Sequence, residues 1–182
     1  MRPVVLQMGV TLDGYVAGQG DWGLPPEHPD VQAWKVASLE RAGTHIMGRV
    51  TYEEMASYWP DATGQYAGFM NTVPKVVFSA TLDAADWPDS RIARGDLAEE
   101  IGALKRQPGK VLIAWGGAAF AQSLSRLRLV DEYRLVILPV ALGGGLPLFK
   151  DLPKPLRVNL TEARTFADGT AIHVYQPVVA TG

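Results

Sequence analysis

Short apolar runs alternate with stretches of helical spacing along this chain. Val4–Val10 reads as a first strand, running into the turn-rich Leu12-Asp13-Gly14-Tyr15-Val16-Ala17-Gly18. Gly18–Pro29, dense in glycine and proline, is a loop that leads into a helix over about Asp30–Ala42. Trp34, Val36, Ala37 and Leu39 give that helix a rough apolar face. His45-Ile46-Met47 is a short buried strand, followed through Gly48-Arg49-Val50 by a helix from about Thr51. Val76–Phe78 is a further strand, and a helix near Asp96–Lys105 follows with Asp96 as its N-cap. Val111–Trp115 stops at Gly116-Gly117, and Ala118–Leu127 then has helical spacing. Glu132–Val140, Val158–Phe166 and Ala171–Pro177 complete the strands, with Asp168-Gly169 marking a tight hairpin turn between the last two. Parallel strands need crossover connections, usually helices, so this alternation predicts an α/β fold with a largely parallel sheet and an antiparallel C-terminal hairpin. No linker or repeat interrupts it, and 182 residues suit one domain spanning 1–182.

Composition narrows the functional classes. Apolar residues make up 47% and charged residues 20%, as in ordinary globular proteins rather than disordered ones. A formal net charge of −2 supplies no electrostatic reason to expect nucleic acid or an anionic membrane as partner. The chain has no cysteine, which excludes disulfides, thiolate zinc sites and iron–sulfur clusters, and only His28, His45 and His173 as imidazole ligands. No apolar run reaches the roughly 20 residues that span a bilayer, and Met1–Met8 lacks a signal-peptide pattern. A cytoplasmic protein without a metal is expected.

Candidate chemistry gathers at strand-to-helix junctions. In Met47-Gly48-Arg49-Val50-Thr51, a glycine lets backbone approach a phosphate, a helix start offers free N–H groups, Thr51 offers a hydroxyl and Arg49 a charged fork. A tight turn with a solvent-facing arginine is an equally good reading of that segment alone. Gly116-Gly117-Ala118 repeats the arrangement after Val111–Trp115, without the GxGxxG pattern of classical dinucleotide folds; close strand–helix packing also calls for glycine. The Gly18–Pro29 loop, with Trp22 among glycines, suits a lid over a ligand, against the alternative of an irregular surface loop. The triple glycine Gly143-Gly144-Gly145 is more simply a flexible bend than a second anion loop.

Taken in order, Thr11–Ala17, Ile46-Met47-Gly48-Arg49-Val50-Thr51-Tyr52-Glu53, Trp115-Gly116-Gly117-Ala118 and Leu129–Phe149 resemble the dihydrofolate reductase superfamily. The likeness covers nearly the whole chain. Val130-Asp131-Glu132-Tyr133-Arg134-Leu135 with Pro139-Val140-Ala141-Leu142-Gly143-Gly144-Gly145-Leu146-Pro147-Leu148-Phe149 is similar to the reductase domain of the bacterial riboflavin deaminase-reductase, while Met-Gly-Arg-x-Thr and Trp-Gly-Leu-Pro are shared with dihydrofolate reductases. The resemblance implies a three-layer fold with about eight strands and an NADPH site. Gly48, Arg49 and Thr51 match phosphate-binding positions, and Ser79 and Thr81 match the loop that recognises the 2′-phosphate. Gly116 and Gly117, followed by Ala118, match a glycine pair joined by a cis peptide. Many members of the riboflavin branch are dimers, so a homodimer is the implied assembly; composition neither supports nor opposes it.

For the small-molecule substrate, the resemblance implies a pyrimidine- or pteridine-like heterocycle, bound near a carboxylate that follows the Leu24-Pro25 loop. Glu27 and Asp30 compete for that place, and Asp13 matches a riboflavin-branch position. Asp30 as a helix N-cap and Glu27 as a solvated side chain are the alternatives, and Asp-Gly is a common turn. Between the two, Asp30 is favoured slightly, because a helix start is held more rigidly than a Pro-rich loop. Three activities follow: an NADPH-dependent reductase of the riboflavin-biosynthesis type, a dihydrofolate reductase, or a non-catalytic NADPH-binding module.

Overall fold

The computed structural model describes residues 1–18 and 26–178. Alternation along the first strand, β1 (Val4–Thr11), divides the molecule. Leu6 and Val10 face one core with Val4, while Val5 faces the other. The same split runs through β3 (Ala42–Gly48), with Ile46 on the first side and Met47 on the second. In β6 (Val111–Trp115) Leu112 and Ala114 oppose Val111 and Ile113. Strands buried on both faces need helices on both faces. Here α4 (Leu97–Arg106) and α5 (Ala118–Arg126) cover the first, through Ile101, Leu104, Ala121 and Leu124. The second is covered by α1 (Pro29–Leu39), α2 (Arg49–Ala56) and α3 (Ala67–Thr72), through Leu39, Tyr52 and Met70.

The remaining strands are β2 (Tyr15–Ala17), β4 (Lys75–Phe78), β5 (Ser90–Ala93), β7 (Glu132–Leu138), β8 (Leu146–Pro147), β9 (Val158–Thr165) and β10 (Ala171–Pro177). Eight of the ten strands described form one sheet in the order β5-β4-β3-β6-β1-β7-β10-β9, and β2 pairs with β8 apart from it. Pairings from β5 through β7 are parallel; β10 joins β7, and β9 joins β10, antiparallel. This is the largely parallel α/β sheet with a C-terminal hairpin that the chain's pattern predicted, in the three-layer, eight-stranded form that the resemblance implied. Among the described residues no helix is long and apolar enough to cross a membrane.

Several local expectations change. The first helix ends at Leu39 rather than near Ala42, because Ala42–Gly48 is drawn into the sheet, pairing Ala42 with Val111 and His45 with Lys75. Its N-cap is His28, whose Nδ1 accepts from the Asp30 backbone N–H at 3.2 Å, with Pro29 in the first turn; Asp30 is therefore not the cap. The second helix opens at Arg49, ahead of the start expected near Thr51. Strands β2, β5 and β8 and helix α3 had no apolar run long enough to announce them.

Candidate active site

In parallel sheets, ligands sit beyond the carboxyl ends of the strands. There, β3 ends in Gly48, which caps α2, and β6 is followed by Gly116 and Gly117, the latter capping α5. Neither glycine supplies a side-chain acceptor, so two sets of first-turn N–H groups have no cap partner. Thr51, 4% exposed, ties the two junctions together by donating its hydroxyl to the Gly116 carbonyl at 2.9 Å.

Both glycines of the pair are also demanded by packing. A Cβ on Gly116 would run into the Met8 side chain, and one on Gly117 would lie 2.9 Å from Thr51 Oγ1. The Gly116–Gly117 peptide is trans, as is every described peptide bond, which corrects the expectation of a cis link. Gly117 sits at φ −105°, ψ 147°, an ordinary extended conformation that the trans chain reaches without strain.

Beside these junctions, Gly48, Ser79, Arg94 and Ala119 share an open hollow of about 350 Å³. Ser79 Oγ accepts from the N–H groups of Thr81 and Leu82, which closes the turn after β4. Thr81 itself is not on the wall of that hollow. Arg49 points along its own helix, bonding both Glu53 oxygens at 3.0 and 2.8 Å. Arg94, donating to the Ala80 and Leu82 carbonyls, is a second guanidinium here that the motifs did not single out. Ala118, at the start of α5, lines a separate surface hollow with Gln122 and Lys150.

On the helix α1 side of the strand ends lies a cavity of about 430 Å³. Its walls are mainly apolar, including Met8, Leu39, Met55, Trp59 and Trp115; Gln7, Lys35 and Tyr66 bring polar groups to it. Trp115 is held in place by His45, whose Nδ1 accepts its indole N–H at 2.9 Å. The three candidate carboxylates fall in different places. Glu27 is gripped from two sides, by Lys35 Nζ and by the Tyr66 hydroxyl, which donates at 2.9 Å. Burial, reinforced by the Glu27 carboxylate, pushes the Tyr66 phenol up from its ordinary value. Asp30 lies apart, its side chain 76% exposed and 3.8 Å from His28 Nδ1. Asp13 fastens the chain: it accepts from Thr11 Oγ1 at 2.6 Å and from the backbone N–H groups of Leu142 and Gly143. Those bonds hold its carboxyl below the ordinary carboxylate value, the Thr11 hydroxyl contributing most. Trp22, Leu24 and Pro25, expected in a lid, lie outside the described residues.

Lys35, Tyr66 and Gln7 were not found by motif. A glutamine in the otherwise apolar Val4–Met8 run was the one signal available for any of them. Lys35 and Tyr66 meet Glu27 only because α1 and the segment before α3 pack on the same sheet face.

The model of the family described as the RibD C-terminal domain matches residues 2–173. The chain belongs to the RibD C-terminal domain family. It thereby joins a group of reductase domains. Among solved structures, a Shewanella sp. PV-4 protein assigned to riboflavin biosynthesis shares 27% identity, covering 98% of this chain and 100% of its own, at a TM-score of 0.79. The diaminohydroxyphosphoribosylaminopyrimidine deaminase/5-amino-6-(5-phosphoribosylamino)uracil reductase of Thermotoga maritima aligns over 97% of this chain and 57% of its own, with 17% identity and a TM-score of 0.69. Dihydrofolate reductase from Enterococcus faecalis, complexed with NADP(H), aligns over 97% of both chains with 14% identity and a TM-score of 0.64. At those identities the last two speak to the fold alone: this RibD C-terminal domain is dihydrofolate-reductase-like.

Proposed function

We propose that this RibD C-terminal domain is an NADPH-dependent oxidoreductase, of the riboflavin-biosynthesis type, that reduces a pyrimidine- or pteridine-like heterocycle. The observation that carries the reading is the meeting of two glycine-capped helix starts, joined by Thr51, at the strand ends beside a mainly apolar cavity. Helix N-termini with unshared N–H groups suit a pyrophosphate. The NADP(H) complex of the Enterococcus enzyme supports the same cofactor on this fold.

When bound, NADPH supplies the hydride; the protein's part is binding, orientation and proton supply. The first turns of α2 and α5 hold the pyrophosphate, with Gly48, Thr51, Gly116, Gly117 and Ala118 allowing close approach. Ser79 and Arg94, on the wall of the hollow beside Gly48, take the 2′-phosphate, with Arg49 joining them on release from Glu53 and Thr81 shaping the turn through its bond to Ser79. The cavity receives the flat acceptor ring. Glu27 is the favoured proton carrier, because Lys35 and Tyr66 fix it and both also line the cavity. Asp30, exposed at its helix start, and Asp13, committed to three donors, are the weaker candidates.

The test is a titration with NADPH and NADH of the wild-type protein and of Gly117→Ala and Gly117→Val, with folding checked by circular dichroism. NADPH should bind the wild type more tightly than NADH, and whichever variants stay folded should bind it more weakly, Gly117→Val more so than Gly117→Ala. Folded variants that bind NADPH as the wild type does would remove the α5 start from the cofactor site.

A further inference from the structure

Asp13 is an exposed residue whose carboxylate is engaged far from its own turn. Its oxygens take the Thr11 hydroxyl at 2.6 Å and the successive backbone N–H groups of Leu142 and Gly143 at 3.0 and 2.7 Å, 129 and 130 residues along the chain. An Asp-Gly turn needs none of these distant donors, since a turn-forming aspartate accepts from the backbone two residues on. Thr11, 2% exposed, extends the link, because its Oγ1 also accepts from the Tyr15 N–H at 3.0 Å. Around this clasp the two segments are stitched together. The Leu12 N–H donates to the Val140 carbonyl and the Leu148 N–H to the Gly14 carbonyl, both at 2.9 Å. Between them β2 and β8 pair Tyr15 with Pro147 and Ala17 with Leu146.

The ribbon so formed stands between two hollows. Successive side chains on a strand point to opposite faces: Val16 lines the large cavity, and Tyr15 lines the hollow of about 460 Å³ whose other wall is Ala118 and Gln122 of α5. Gln122, 8% exposed, ties the ribbon to that helix by donating its amide N–H to the Pro147 carbonyl at 2.7 Å. Gly116 lines the cavity and Gly117 caps α5, so a molecule anchored at the start of α5 and extending into the cavity has this ribbon on its flank. A two-stranded pairing as short as β2–β8 has little stability of its own. The bonds at its ends decide where it sits.

We infer that Asp13 is a positioning residue of the reductase site: it clasps the turn after β1 to the Leu142-Gly143 backbone and so fixes the β2–β8 ribbon that receives the nicotinamide end of the cofactor. This rests on the proposal that NADPH is anchored at the starts of α2 and α5 and reaches into the cavity. Asp13 acts through the ribbon and not on the reacting atoms. Its removal therefore affects the nicotinamide end and spares the phosphate end.

The probes are NADPH and 2′-phosphoadenosine diphosphoribose, which is NADPH without its nicotinamide ring. Each is titrated by calorimetry into the wild-type protein, Asp13→Asn and Gly145→Ala. Asparagine conserves the shape, keeps one acceptor oxygen and turns an N–H₂ toward the remaining donors. Gly145→Ala attacks the same ribbon from its other side: at φ 142° an added Cβ would lie 2.4 Å from the Ala17 carbonyl oxygen. In both variants NADPH should bind about fivefold or more weakly, as when the ribbon is in place in only about one molecule in five, while the fragment keeps its affinity within about twofold. Hydrogen exchange at the Leu142 and Gly143 amides should quicken in Asp13→Asn. Equal weakening of both ligands, unchanged NADPH affinity, or unchanged exchange at those amides overturns the inference and leaves the cofactor assignment standing. Wild-type protein that binds neither probe at millimolar concentration refutes the cofactor assignment and this inference with it. Should Asp13→Asn fail to fold, the NADPH-to-fragment comparison in Gly145→Ala decides.

Discussion

Acidification should unseat His45 before most of the molecule yields. The ring is completely buried in β3, between the Phe69 carbonyl, 3.2 Å from Nε2, and the Trp115 indole N–H, which Nδ1 accepts. These partners assign the neutral tautomer with hydrogen on Nε2. Burial above all, with the nearby Lys75 charge adding to it, pushes the imidazole down from 6.5 to about 4, against the pull of the Phe69 carbonyl. The folded protein therefore binds this proton more weakly than the unfolded chain. The stabilisation is whole above pH 6.5 and is lost as pH falls from there to about 4. One proton changes stability by at most about 1.4 kcal/mol per pH unit, so the loss across that window is about 3 kcal/mol. That is a large share of the roughly 5–15 kcal/mol that holds a typical domain. Urea unfolding at a series of pH values between 7 and 4, on the wild type and on His45→Asn, measures it. Asparagine keeps an acceptor for Trp115 but does not titrate, so the variant should start less stable and lose about 3 kcal/mol less across the window. Protonated Nδ1 cannot accept the indole N–H, so tryptophan emission should shift ahead of global unfolding. Parallel stability profiles for the two proteins would refute the reasoning.

Two other outcomes follow from the site. Thr51→Val keeps the shape of a buried side chain and deletes its bond to the Gly116 carbonyl. It should cost about 1–2 kcal/mol and lower the melting temperature by roughly 2–8 °C; an unchanged melting curve would show that the hydroxyl holds nothing together. Glu27→Gln should reduce turnover by about tenfold with NADPH affinity retained, whereas Asp30→Asn should leave turnover near normal. Steady-state kinetics on an accepted heterocycle that gave the reverse order would return the proton-carrying role to the start of α1.

The sequence by itself determined the class of this fold, because short apolar strands buried on both faces can only be satisfied by a helix-covered parallel sheet. Val111–Trp115 and Ala171–Pro177 were legible to the residue. The ordered glycine motifs also marked both strand-to-helix junctions, after β3 and after β6. Short elements were not legible: β5 has four residues and β8 two, too few for a period to emerge, and they exist because a neighbour offers an unpaired edge. The end of α1 was misplaced for the same reason, since β3 recruits Ala42 through pairing that local propensity does not contain. The carboxylates show the contrast most plainly. Asp30 looked well placed because a helix start is held more rigidly than a Pro-rich loop, and its side chain faces solvent. Glu27 is fixed by Lys35, eight residues on, and by Tyr66, thirty-nine residues on. Gln7 is oriented through Ser38 by Arg134. Hydrogen-bond networks of this kind join residues from separate strands and helices, so only the packing of those elements on one sheet face decided which polar groups meet.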